Sequence, residues 1–142
     1  MSVSARNQLN GVVDSVAEGA VNSEVVLTLA SGEQLTTVIT RSSVANLGLV
    51  PGKSVLALVK APWVILASAD CGLLFSARNQ FNGTIDALSR GAVHSTVHLT
   101  TVKGLTLTAS ITNESVDEMG LKVGASVIAL IKASSVILAT KA

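Results

Sequence analysis

The chain has no tyrosine, one tryptophan and two phenylalanines among 142 residues. Bases stack on exposed aromatic faces, so Trp63, Phe75 and Phe81 leave little from which to build a single-strand nucleic-acid platform. Cys71 is the only cysteine, which excludes an intrachain disulfide and a cysteine-based metal site. At the junction of the two halves it reads as a small apolar residue. His94 and His98 are the only histidines. Four apart on a strand they share a face, but no thiol or carboxylate stands close by in sequence, so they read as surface or interface residues rather than zinc ligands. General acid–base catalysis needs a group poised near neutrality, and histidine this scarce leaves only scattered carboxylates. A Gly-rich phosphate loop, HExxH and GxSxG are all missing. Neither an enzyme nor a catalytic cofactor is expected.

Charge is also sparse. Only 13% of residues are charged, the net charge is +1, and no basic or acidic run occurs. A sequence-independent nucleic-acid surface needs clustered lysine and arginine, so no nucleic-acid partner is expected. Residues 1–11 hold no apolar signal-peptide core, and the apolar stretch Val55–Leu74 is interrupted by Lys60, Pro62 and Asp70. The expectation is a soluble cytoplasmic protein without a membrane partner. Yet 49% of residues are apolar and the mean hydropathy is +0.59. Domains of about 70 residues bury a modest fraction of their surface. Such a composition therefore predicts apolar contact between halves and between chains, that is, a homo-oligomer.

What the chain does have is a repeat. Ser-Ala-Arg-Asn-Gln-Leu-Asn-Gly at Ser4–Gly11 returns as Ser-Ala-Arg-Asn-Gln-Phe-Asn-Gly at Ser76–Gly83. The echo continues through Gly19-Ala20-Val21 and Gly91-Ala92-Val93, Lys60-Ala61 and Lys132-Ala133, and Val64–Ala67 and Val136–Ala139. A unit this long, present twice, predicts two small domains of one fold rather than a solenoid, divided as residues 1–70 and 71–142. Period-2 alternation dominates each copy. Val21, Ser23, Val25, Leu27 and Leu29 fall on one face opposite Asn22, Glu24 and Thr28, and the second copy puts Val93, Val97 and Leu99 inward. Gly32 and Gly104 mark hairpin turns, and Leu35–Thr40 and Leu107–Thr112 read as third strands. A short helix follows, with Thr40 or Thr112 as N-cap and Gly48 or Gly120 just past its end. Val55–Lys60 and Val127–Lys132 read as strands covered on both faces, and Val64–Ala67 and Val136–Ala139 as closing strands. That order predicts an all-β protein of two tandem OB-like five-stranded Greek-key barrels, each with one short helix. The linker Ser68–Phe75, with Leu73, Leu74 and Phe75, is expected to be packed.

Polar residues recur in both copies: Ser4 and Ser76, Thr40 and Thr112, Ser43 and Ser115, Lys60 and Lys132. Each lysine ends an apolar strand, where an ammonium needs water or an anion. Hydroxyls, backbone N–H groups and one ammonium make a receptor for a compact dianion, since they donate hydrogen bonds and neutralise charge in part. Thr40–Ser43 and Thr112–Ser115 lie at predicted helix N-termini, where free N–H groups attract anions; plain capping explains the same hydroxyls.

The Ser-Ala-Arg-Asn-Gln openings, the Gly-Ala-Val-(Asn/His) turns, and Lys60-Ala61-Pro62 with Lys132-Ala133-Ser134 resemble the molbindin (Mop) family. Two such units in one chain resemble its di-Mop members, cytoplasmic molybdate-binding proteins. The resemblance implies OB-type barrels that associate as trimers and hold molybdate or tungstate between units. It implies one pocket in which the opening of one unit meets the helix start and lysine segment of another. Its residues would be Ser4, Ala5, Arg6, Thr40, Ser43, Lys60 and Ala61, with Ser76, Ala77, Arg78, Thr112, Ser115, Lys132, Ala133 and Ser134. A second pocket, near the three-fold axis, would use Gly19, Ala20, Val21 and Asn22 or Gly91, Ala92, Val93 and His94. Two departures stand out. Pro62 replaces the serine of the Lys-Ala-Ser motif in the first copy, and His94 stands where the first copy has Asn22, so the resemblance implies that the two axial sites need not be equivalent and that one is expected to respond to pH.

The reading is a non-enzymatic molybdate or tungstate binder serving intracellular storage or homeostasis, with no side chain as a direct metal-cation ligand. The alternatives are an oligonucleotide-binding OB-fold protein and a small oxyanion enzyme such as a phosphatase. No helix-turn-helix precedes the first copy and no ATPase motif is present, so a repressor or transporter ATPase carrying such a tail is not expected.

Overall fold

The computed structural model describes residues 3–142. In chain order its strands are β1 (Asn7–Glu18), β2 (Asn22–Leu29), β3 (Gln34–Thr40), β4 (Ser54–Val59), β5 (Ile65–Ser68), β6 (Asn79–Arg90), β7 (His94–Thr101), β8 (Thr106–Thr112), β9 (Ser126–Ile131) and β10 (Ile137–Ala139). Helix α1 (Arg41–Leu47) follows β3, and α2 (Asn113–Met119) follows β8. Short 3-10 turns occupy Ala61–Trp63 and Ala133–Ser135. The protein is nearly all β, built on two curled five-stranded antiparallel sheets, ordered β10-β4-β1-β2-β3 and β5-β9-β6-β7-β8. The expected tandem OB-like architecture stands.

Each sheet forms because one face of its strands is continuously apolar. Val25, Leu27, Leu35 and Val59 are fully buried in one, and Val97, Leu99, Ala109 and Ile131 in the other. Each such leucine or isoleucine contributes about 2 kcal/mol through its burial. The twelve-residue strands β1 and β6 bend at register shifts between Val13 and Ser15 and between Ile85 and Ala87. A bulge of this kind lets one strand serve two neighbours round a curve. Both helices begin and end as their sequences predict. Thr40 Oγ1 accepts from the Ser43 N–H at 3.2 Å, and Thr112 Oγ1 from the Ser115 N–H at 3.1 Å. Gly48 and Gly120 turn the chain out of the helix at φ of 63° and 62°, a left-handed region that penalises a Cβ.

Three expectations differ from what is observed. First, the closing strands are exchanged: β10 pairs with β4, and β5 pairs with β9. In space the chain gathers into a first unit, up to Val59 with Lys132–Ala142, and a second unit, Lys60–Ile131. Because Val64–Ala67 and Val136–Ala139 have the same sequence, self-pairing and exchange bury the same side chains, so local pattern does not distinguish them. Second, Val21 and Val93 do not join the inner face but are 71% and 64% exposed. The strands start one residue later, because Val21 and Val93 are held in turns that close before β2 and β7. Third, the Ser68–Phe75 segment is not packed within its unit. A turn closed by the Cys71 N–H on the Ser68 carbonyl, with Gly72 at φ 72°, leaves Leu73 and Leu74 exposed.

Candidate functional site

The repeated Ser-Ala-Arg-Asn-Gln opening separates into two jobs. Buried Asn7 and Asn79 each donate Nδ2–H to a carbonyl at the end of the neighbouring strand, Val59 and Ile131, both at 3.1 Å. Gln8 Nε2 donates to the Val3 and Ala5 carbonyls, both at 3.0 Å, and Gln80 Nε2 to Phe75 and Ala77 at 3.0 and 2.9 Å. Asn and Gln therefore fix the backbone, and the tripeptides Ser4-Ala5-Arg6 and Ser76-Ala77-Arg78 are presented at the surface.

At the other end of β1 and β6 lie the Gly-Ala-Val turns. The Gly19 N–H donates to the Asn22 carbonyl at 3.0 Å, and the Gly91 N–H to the His94 carbonyl at 2.8 Å. A Cβ on Gly19 would meet the Asn22 oxygen at 2.3 Å, and one on Gly91 the His94 oxygen at 2.7 Å. No side chain fits there, which is why glycine opens both turns. Register brings each turn beside a helix start, since Asn22 pairs with Thr40 and His94 with Thr112. The Arg41 N–H donates to the Val21 carbonyl and the Asn113 N–H to the Val93 carbonyl, both at 2.8 Å. Thr40 and Ser43 hydroxyls are 2.8 Å apart, and those of Thr112 and Ser115 2.9 Å. Turn and helix start thus form one corner of each unit, whereas the Ser-Ala-Arg opening stands at the opposite end of the strand.

The lysine segments cross over with the closing strands. Ala133–Ser135 packs against β3 in the first unit, and Ala61–Trp63 packs against β8 in the second. Pro62 consequently belongs with Thr112, not with the first copy's Thr40 as sequence order implies. In the second unit an open cleft of about 630 Å³ is lined by Pro62, Val64, Ile65, Leu66, His94, Ser110, Ile111, Thr112, Ser115 and Met119. The two departures from the repeated pattern therefore meet in a single cleft. Lys60 and Lys132 are exposed and form no ion pair among the described residues, and Ala61 and Ala133 beside them are buried.

A link invisible in the motif holds the second corner. Asn113 Oδ1 accepts from Ser95 Oγ, and Asn113 Nδ2 donates to the Gly91 carbonyl at 2.9 Å. The first unit has Arg41 in that place; its guanidinium lies 3.8 Å from Glu18, and buried Ser23 Oγ has no hydrogen-bond partner among the described residues. Comparing Arg41 with Asn113 across the repeat is the signal by which sequence alone reveals this inequality. A further ion pair, Arg90 with Asp117 at 2.8 Å, ties the end of β6 to α2. The hydrogen bond from Arg90 holds the Asp117 carboxyl below the usual carboxylate range, and the bond to Asp117 raises Arg90 in turn. No cluster of three or more His, Cys, Asp or Glu suited to a metal ion occurs among the described residues. Nor is any helix there long and apolar enough to cross a membrane. Phe81 is buried in the core rather than offered to a base.

The corner, the opening and the lysine segment are arranged alike in the two units, and residues 3–66 and 76–138, a division that follows the linear repeat, each match the TOBE domain model. The chain belongs to the TOBE-domain family. This TOBE chain is 43% identical over 139 residues to the molybdenum-pterin-binding protein MopA of Rhodobacter capsulatus, and 38% identical over 141 residues to the molybdenum transport protein ModE of Herbaspirillum seropedicae. These matches cover 98% and 99% of the chain and 52% of each relative, so the chain spans about half the length of the curated relatives it matches. A solved structure of the cytoplasmic molybdate-binding protein ModG with molybdate bound is similar over 99% of this chain and all of its own, at 46% identity and a TM-score of 0.94. The molbindin resemblance read from the repeated motifs agrees with these findings.

Proposed function

We propose that this chain binds molybdate, and tungstate of the same charge and shape, as a non-catalytic oxyanion protein of the cytoplasm that serves storage or homeostasis. The likeness along its whole length to molybdate-bound ModG carries the reading. The chemistry supports it. A tetrahedral dianion is satisfied by several short N–H and O–H donors and one or two cations, and each unit offers these as a repeated set. Ser4, Ala5 and Arg6, with Ser76, Ala77 and Arg78, supply presented backbone and hydroxyls. The pairs Thr40–Ser43 and Thr112–Ser115 supply paired hydroxyls, and Lys60 and Lys132 supply ammonium groups. The Gly19–Asn22 and Gly91–His94 turns supply rigid backbone. Since opening and corner lie at opposite ends of a strand, a pocket using both draws them from different copies of the chain. A trimer with its oxyanions between copies meets that need, and it covers Val21 and Val93.

Calorimetric titration with molybdate, tungstate, sulfate and phosphate, alongside a native mass measurement, tests this reading. Saturable binding of molybdate and tungstate by a trimer, with phosphate much weaker, is the expected result. Phosphate binding equal to molybdate, or a salt-sensitive shift with single-stranded DNA in its place, would reject it. Lys132→Ala should weaken one class of site about tenfold, the scale of a lost charge-assisted hydrogen bond, while circular dichroism shows an intact fold.

A further inference from the structure

We propose that the two corners are unequal sites, and that the second unit's cleft binds its dianion more tightly when His94 is protonated. This rests on the oxyanion reading above and concerns the regulation of that site. Four positions separate the corners. At the helix start the first unit carries Arg41 and Ser42, and the second carries Asn113 and Glu114. On the turn the first has Asn22 and the second His94, each paired across the sheet with the N-cap threonine. On the lysine segment the first has Ser134, whereas the second has Pro62, which offers neither hydroxyl nor N–H.

Each change removes a donor or a positive charge from the second corner, except His94. No carboxylate lines the cleft, and His94 is the one titratable group in its wall. The charged groups on the surrounding elements are Glu114, Asp117 and Glu118 on α2, Arg90 at the end of β6, and Lys60 before the 3-10 turn. β5 and β8 carry none. Asp117 is engaged by Arg90 at 2.8 Å, which leaves Glu114 and Glu118 set against Lys60. On its own strand, His98 is bonded to Thr108 at 3.1 Å. Neutral His94 therefore leaves a dianion facing a corner with little net attraction. Protonated His94 adds a second cation and a second N–H donor at the place where the turn, locked by Asn113, holds it. Asn22 does not titrate, so the first corner binds alike across this range.

Two histidines make the test direct. The imidazole resonances of the full chain are followed through pH 5–8, with and without saturating micromolar molybdate. Binding that favours the protonated form must raise the proton affinity of His94 in return, by about one pH unit for a tenfold preference. His98 should not move. By calorimetry one component of molybdate binding should tighten about tenfold between pH 8 and pH 5.5, and His94→Asn should make that component independent of pH. Unchanged His94 titration under saturating molybdate, or a pH dependence that survives in His94→Asn, would overturn the inference and leave the oxyanion reading standing. No molybdate binding at any pH would overturn both.

Discussion

The first unit and the second are built on one plan and differ where the plan meets solvent. Both keep the asparagine that anchors β1 or β6, the glutamine that shapes the opening, the threonine cap and the glycine turn. They part at the helix start, where Arg41 and Ser42 face Asn113 and Glu114, and on the turn, where Asn22 faces His94. Even their ion pairs are reversed in sense. Glu18 reaches the helix residue Arg41 at 3.8 Å in the first unit, whereas Arg90 reaches Asp117 at 2.8 Å in the second. The lesson is that the scaffold depends on a few buried amide and hydroxyl contacts. The charge around the corner is what differs between the two units.

The sharpest way to break the comparison is at the turn glycines. Gly19→Ala would drive a Cβ to 2.3 Å from the Asn22 oxygen, and Gly91→Ala to 2.7 Å from the His94 oxygen. Each should open its turn, lower stability by about 2 kcal/mol or more and abolish binding at its own corner, with Gly19→Ala the more severe. Chemical denaturation and a molybdate titration of each variant check this; equal and negligible effects would show that the turns yield easily. A smaller effect is expected one layer deeper. Asn113→Ala strands Ser95 and frees the Gly91 carbonyl, at a cost of about 1–2 kcal/mol. Ser23→Ala, which deletes an unpaired buried hydroxyl, should be neutral or slightly stabilising. If Ser23→Ala destabilises as much as Ser95→Ala, the corners are held alike and the asymmetry drawn above is wrong.

Strands, caps and turns were legible because each is a local decision. Alternation fixes which face of β2 or β7 is buried, a threonine three residues before a serine N–H caps a helix, and Gly48 and Gly120 end one. The exchange of β5 and β10 was not legible, because identical closing sequences fit either sheet. That one ambiguity misassigned Pro62 to the first unit and hid its meeting with His94. Val21 and Val93 misled for a related reason: alternation continues past the strand's start, but the turn's hydrogen bonds carry the two valines outward. The Ser-Ala-Arg-Asn-Gln motif was visible as a repeat. Its split into anchoring Asn and Gln and presented Ser, Ala and Arg needed the neighbouring strand ends at Val59 and Ile131.

The smallest effect expected concerns Arg90 and Asp117. Because the pair lowers the proton affinity of Asp117, it stabilises the fold above the ordinary carboxylate range near pH 4 and loses that contribution as pH falls through the depressed folded value. Arg90 is raised instead, so its share is present below its already high unfolded value and is not lost at any ordinary pH. Both side chains are substantially exposed, at 45% and 66%, and solvent screens the pair heavily. Asp117→Asn should therefore shift the urea midpoint only slightly at neutral pH and not at all once the carboxyl is protonated, and added salt should shrink the neutral-pH difference. An effect of the same size in acid would mean that Asp117 acts through packing on α2 and not through charge. In that case the reversed ion pairs of the two units would be a difference without electrostatic consequence.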